Sequence, residues 1–145
     1  MMPNPRLIGF LNRALSHEMA AVQQYLMQSR LAALWGMAEL SAQFRRDVEE
    51  ELVHAERLME RMLIYGATAN ATQLIPVRLG RTLPEIFDIN RAIELEAVRL
   101  YEEAADYCER TRDFENRELF AGILREEIAH LRHIEKLQES LMKQV

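Results

Sequence analysis

The stretch "EEELVHAE", residues 49–56, sets one histidine among four acidic side chains. On a helix, Glu51 and His54 are three residues apart and share a face. Such a face is either a solvated charge stripe or part of a metal site, and the rest of the chain decides which. The same Glu-x-x-His spacing returns in "REEIAHL", as Glu127 and His130, 76 residues further on. Applied elsewhere, this offset lays "EMAAVQQY" (18–25) over "ELEAVRLY" (94–101), matching Glu18 with Glu94, Ala21 with Ala97, Val22 with Val98 and Tyr25 with Tyr101. Phe44 falls on Phe120 and Glu50 on Glu126. The chain reads as two copies of one helical hairpin, each carrying a Glu and, 33 residues later, Glu-x-x-His.

Helix signals support that reading. Asn4-Pro5 is an N-cap followed by a first-turn proline, and a helical stripe of Ile8, Leu11, Leu15, Val22 and Ser29 runs on to Trp35-Gly36. A second stripe of Leu40, Phe44, Val48, Leu58 and Met62 ends at Tyr65-Gly66, with Gly as the stop. Residues 66–81 hold Gly, Pro and Asn without a clean period and form a connection. "TLPE" opens a third helix with Thr82 and Glu85 as a capping-box pair, running to about Arg110. Asp113 caps a fourth, which carries Phe120, Leu124, Leu131, Ile134 and Leu141. Short outer connections predict antiparallel pairs, and the middle one spans roughly 50 Å at ~3.3 Å per residue. The expected fold is all-α: a four-helix bundle of two hairpins joined by a long crossover, one domain over residues 1–145.

Glu18, Glu51, Glu94 and Glu127 all lie in step with apolar residues, on stripes that must face the core. An uncompensated buried carboxylate costs several kcal/mol even after relaxation. Four together are tolerable if they take up protons or if cations sit among them, and two divalent ions supply the matching charge. A Glu on each of two helices with Glu-x-x-His on the other two is the donor pattern of a dinuclear carboxylate site. Carboxylates and imidazoles suit iron or manganese, with zinc able to compete. His17 reads as a solvated surface residue. His133, one turn past His130, reads as outer-shell or exposed. Met27, Met37, Met59, Met62 and Met142 read as core or interface filling rather than haem ligands.

Composition limits the alternatives. A net charge of -5 argues against a nucleic-acid footprint. No apolar run approaches the roughly 18 residues of a membrane span, and no cationic-then-apolar leader opens the chain. A single cysteine, Cys108, reads as a small buried hydrophobe and suits a reducing cytoplasm. The residues leave three uses open. One is Fe(II) oxidation coupled to storage. Another is a non-storing di-iron or di-manganese oxidase or peroxide scavenger. The third is a metal-stabilised scaffold.

From Leu11 to about Leu141 the chain resembles bacterioferritin, within the ferritin-like superfamily. Glu18, "EELVH" (50–54), Glu94 and "EEIAH" (126–130) carry the resemblance, and Tyr25 and Trp35 fit it. It implies a ferroxidase centre with two irons per chain. Glu51 and Glu127 would bridge them, Glu18 and His54 would complete one site, and Glu94 and His130 the other. Tyr25 would hydrogen-bond near the centre and supply an electron. O2 or H2O2 would be the oxidant, and ferric mineral would be stored in a cage assembled from antiparallel dimers, of 12 or 24 chains. Apolar residues off the core stripe, such as Leu26, Leu31 and Trp35, suit such a dimer. Three departures stand out. Leu52 occupies the position of the family's haem-ligating methionine, so no Met-ligated haem is expected. Leu58 and His133 replace two aromatic residues near the centre, with Tyr101 as a pseudo-symmetric substitute. The sequence ends at Val145 without the family's short fifth helix.

Overall fold

The computed structural model describes residues 4–69 and 74–143. Four helices follow one another: α1 (Pro5–Leu34), α2 (Ala38–Ile64), α3 (Leu83–Arg110) and α4 (Phe114–Met142). No strand occurs among the described residues. The chain falls into two compact units, Met1–Leu79 with α1 and α2, and Gly80–Val145 with α3 and α4.

In the first unit, the Asn4 side chain accepts from Leu7 N at 2.8 Å and Pro5 starts α1, as the sequence predicts. α1 and α2 pack antiparallel, clasped near their turn by Ser29 and Ser41. Ser29 Oγ donates to Ser41 O at 2.9 Å and Ser41 Oγ donates to Ser29 O at 2.7 Å. The turn is closed by Met37 N donating to Ala32 O and Gly36 N to Ala33 O, with Gly36 at φ 78°. A left-handed residue followed by such back-bonds satisfies the last carbonyls of a helix.

The second unit repeats this turn 76 residues later. Asp113 N donates to Cys108 O and Arg112 N to Glu109 O, and Arg112 stands at φ 60° where the first unit has Gly36. Asp113 accepts from Asn116 N at 3.3 Å and caps α4, whereas Met37 gives α2 no side-chain cap. Thr82 caps α3 by accepting from Glu85 N, and the Glu85 carboxylate accepts from Arg81 N, one residue beyond the N-cap donor of a strict capping box.

The cores repeat too. Every buried position of α3 except Val98 falls on a buried position of α1 when 76 is subtracted, and from Phe120 onward every buried position of α4 falls on one of α2. The expected stripes hold, with Ile8, Val22, Leu40, Leu124, Leu131 and Leu141 only half-buried at their margins. Met62 is buried, Met37 and Met59 half-buried, and Met27 and Met142 exposed, so only some of the methionines fill the core.

Residues 70–73 of the expected connection lie outside the described residues. Its later part is fixed to α1. Gln24 Nε2 donates to Arg78 O at 2.8 Å, and Arg78 N donates to Gln24 Oε1 at 3.1 Å. The pairing of Ser29 with Ser41 sets an antiparallel register that places Ile64 beside the first turn of α1. Arg78 meets Gln24 some 18 residues further along α1 than the level of Ile64, about 27 Å at 1.5 Å per residue.

Candidate metal centre

Each hairpin gathers three potential ligands on its inner face. In the first unit, Glu18 comes from the middle of α1, and Glu51 and His54 from one face of α2. His54 Nδ1 lies 3.4 Å from Glu18 Oε2 and 4.0 Å from Glu51 Oε2. In the second unit, Glu94 comes from α3, and Glu127 and His130 from α4, with His130 Nδ1 3.0 Å from Glu94 Oε1. All six side chains are buried, the four carboxylates at no more than 1% exposure. The helices place them there because each Glu occupies a stripe position between large apolar residues: Leu11, Leu15 and Tyr25 around Glu18, and Phe87 and Tyr101 around Glu94.

The donor set fits a hard divalent cation. Glu18, Glu51 and His54 each offer one ligand atom, and these lie within 4.8 Å of one another. The same holds for Glu94, Glu127 and His130. Ligand atoms at about 2.0–2.2 Å from one ion stand at most ~4.4 Å apart, so convergence needs movements of only a few tenths of an ångström. In both units Nδ1 is the imidazole nitrogen that faces the carboxylates.

The remaining sequence-predicted residues divide. Tyr25 and Tyr101 are fully buried at equivalent positions. His133 is exposed. His17 is not the solvated residue expected: it is half-buried, with Nε2 shielded from solvent. It directly precedes Glu18 at the margin of the buried stripe, which a solvated reading of an isolated histidine misses. Leu52 is half-buried and offers only hydrocarbon. Cys108 is buried, and burial, with Asp113 adding a smaller effect, pushes its thiol up to about 11. The thiol is therefore neutral and a poor metal ligand at ordinary pH. Asp47 was not singled out by sequence. It is buried one turn before Glu51 and accepts from Gln43 Nε2 at 3.1 Å. Its spacing of four from Glu51 was the available signal, and the second copy lacks it, with Ile123 in its place.

Comparison with known proteins gives the class first. The ferritin-like domain profile matches residues 8–143, so the chain belongs to the ferritin-like family. Its place there is among the bacterioferritins. It is 33% identical to a bacterioferritin of Rhodobacter capsulatus, over 93% of this chain and 84% of that one. It is 31% identical to a bacterioferritin of Mycolicibacterium paratuberculosis, over 99% of this chain and 90% of that one. A solved Rhodobacter capsulatus bacterioferritin superposes with a TM-score of 0.95 at 31% identity, covering 99% of this chain and 89% of that chain. That structure is described as having a metal-free dinuclear site and a haem iron on a crystallographic special position. The fold is the ferritin-like four-helix bundle expected from the two hairpins. No helix among the described residues is long and apolar enough to cross a membrane.

Proposed function

We propose that this chain oxidises Fe(II) at a dinuclear centre and stores the ferric product in a homo-oligomeric cage, its two units forming one domain over residues 1–145. The observation that carries the reading is the paired triad: the same buried Glu, Glu-x-x-His set occurs in both hairpins, with ligand atoms close enough to converge. In this reading Glu51 and Glu127 would be shared by two irons, Glu18 and His54 would complete one site, and Glu94 and His130 the other. Two Fe(II) ions supply one electron each to O2 or H2O2. The side chains have three tasks. Four carboxylates balance the incoming positive charge in a setting where neither partner would be stable alone. The imidazoles bind as neutral donors, which leaves that charge balance intact. The surrounding Leu, Phe and Tyr side chains exclude bulk water, which strengthens the electrostatic hold. Tyr25, buried two turns from Glu18, is an electron donor in this scheme.

The storage half of the reading is supported by surface composition. Leu26, Met27, Leu34, Trp35, Val53 and Leu63 are large, apolar and exposed on the first unit, as a face covered by a second copy requires, although Leu31 is half-buried. Leu52 supports the absence of Met-ligated haem. The single cysteine supports a cytoplasmic location. Manganese or zinc can occupy the same donors.

Anaerobic Fe(II) titration followed by addition of O2 or H2O2, with particle mass measured on the same sample, tests the whole reading. Saturation at two Fe(II) per chain, rapid oxidation and an assembly near 400 or 200 kDa, for 24 or 12 chains of 16.9 kDa, are expected. Oxidation no faster than in buffer defeats the ferroxidase assignment. Fast oxidation by a species no larger than a dimer removes storage and leaves an oxidase or peroxide scavenger.

A further inference from the structure

Reducing O2 to two waters takes four electrons, and two Fe(II) ions supply two. We propose that Tyr101 is a second buried electron donor, so that this chain carries one redox tyrosine in each hairpin. This rests on the ferroxidase reading above and extends it.

The placement comes from the repeat. Tyr101 is the counterpart of Tyr25 at the 76-residue offset, and both are 0% exposed. Tyr101 lies seven residues after Glu94 on α3, which returns it to nearly the same helix face about 10.5 Å along the axis. Side chains on a helix lean toward its N-terminus, so the phenol leans back toward Glu94 and shortens that span. On α4, Phe120 lies seven residues before Glu127, and its ring meets that of Tyr101 at 6.2 Å between centroids and 44° between planes. Phe120 thus forms part of an apolar wall on the phenol, the surroundings in which an oxidised tyrosine is shielded from solvent reductants. The other two tyrosines, Tyr65 and Tyr107, are only half-buried, and Trp35 is exposed. Tyr25 and Tyr101 are therefore the two oxidisable aromatic side chains set wholly inside the protein.

The electrons and atoms balance. Two Fe(II), two tyrosines, one O2 and two protons give two Fe(III), two neutral tyrosyl radicals and two waters. Each phenol gives up one electron and its O–H proton, and both protons end in the product water. Two further Fe(II) and two protons restore the tyrosines and yield two more Fe(III). The sum is four Fe(II) consumed per O2 with no H2O2 released, although the centre holds two irons.

The test uses the wild-type protein, Tyr25→Phe, Tyr101→Phe and the double variant. Each is loaded anaerobically with two Fe(II) per chain, mixed with O2 and freeze-quenched for electron paramagnetic resonance. Phenylalanine keeps the ring and its packing on Phe120, so the fold is retained. With one phenol removed, two Fe(II) and the remaining tyrosine hold three electrons rather than four, so each single variant, like the double variant, is expected to lose the wild-type tyrosyl spins and to release one H2O2 per two Fe(II) oxidised instead. A readout without turnover accompanies this: Tb(III) bound to the metal-free protein is excited through nearby tyrosines, and Tyr101→Phe should dim it as Tyr25→Phe does. A wild-type spin count without H2O2 release, together with unchanged terbium emission, in Tyr101→Phe overturns the proposal while leaving the ferroxidase reading intact. Failure of the wild-type protein to oxidise Fe(II) overturns both.

Discussion

Gly36 and Arg112 occupy one position in two turns, 76 residues apart, and both hold a left-handed backbone. The first turn has the residue that suits this conformation but begins its next helix on Met37, without a side-chain cap. The second carries the strain of a non-glycine residue but begins its next helix on Asp113, which caps it. The interhelical ties differ as well. Ser29 and Ser41 clasp the first hairpin, where the second has Ala105 and Arg117, the latter donating to Glu109 at 2.8 Å on the surface. At the ligand positions nothing differs: Glu18, Glu51 and His54 face Glu94, Glu127 and His130 in the alignment, all buried. Scaffolding can be met by several interchangeable devices, because a turn needs only that its backbone groups be satisfied. A ligand position needs one kind of atom at one place.

That contrast can be broken most forcefully at the ligands. Glu51→Ala and Glu127→Ala should each lower the initial rate of Fe(II) oxidation by more than about 100-fold, since each removes a carboxylate assigned to both irons. Stopped-flow traces in which one variant is inactive and the other normal would show that the two halves are not equivalent. The entry to α3 comes next. A Cβ on Gly80 would stand 2.8 Å from Ile86 N and 2.9 Å from Ile86 Cγ1, so Gly80→Ala should cost about 1–3 kcal/mol, read as a fall in Tm. An unchanged Tm would mean that this backbone can give way.

Removing the serine clasp with Ser29→Ala and Ser41→Ala together should cost about 1–2 kcal/mol in denaturant melts, with activity retained. At the turns the signs are opposite. Arg112→Gly should stabilise the protein by about 1 kcal/mol by relieving the left-handed strain, and Met37→Asp by about the same by adding a cap. Destabilisation by either substitution would refute the trade between the two turns. The remaining effect is confined to alkaline pH and concerns Cys108, whose counterpart is Ala32. The folded thiol is raised to about 11 from an ordinary value of 9.0, so above pH 9 the unfolded chain loses this proton first. The thiol's contribution is therefore full below pH 9 and is lost as pH rises toward 11. Cys108→Ala should flatten stability over that window; an identical slope in the variant would place the pH dependence elsewhere.

Much of this arrangement was legible in the sequence because helices convert spacing into direction. Glu51 and His54, three apart, had to share a face, and the constant offset carried that conclusion to Glu127 and His130. Asn4, Thr82 and Asp113 announced their helices because caps are local. What sequence could not supply were facts that depend on distant partners. Nothing local distinguishes Gln24 from Gln23, yet Gln24 is buried on Arg78 while Gln23 is exposed. His17 looked solvated for the same reason: its exposure depends on its angle to the core, which a single isolated polar residue does not report. Arg112 gave no sign of a positive φ, since only the repeat links it to Gly36.

The two hydrogen bonds from Gln24 to Arg78 have a consequence for the symmetry of the molecule. A chain that repeats a hairpin once has two turns but a single connection between the copies, so one copy must bear an anchor that the other has no use for. Gln24 is that asymmetry, and its counterpart Leu100 shows the same place without a tether to hold. The backbone at Arg78 is therefore tied to the first copy. A chain divided to test whether the hairpins can reassemble should be cut after Leu79, where the compact units part, and not at the end of α2. Cut there, the first fragment keeps its own anchor, and the second begins at Gly80, the glycine on which α3 depends to start.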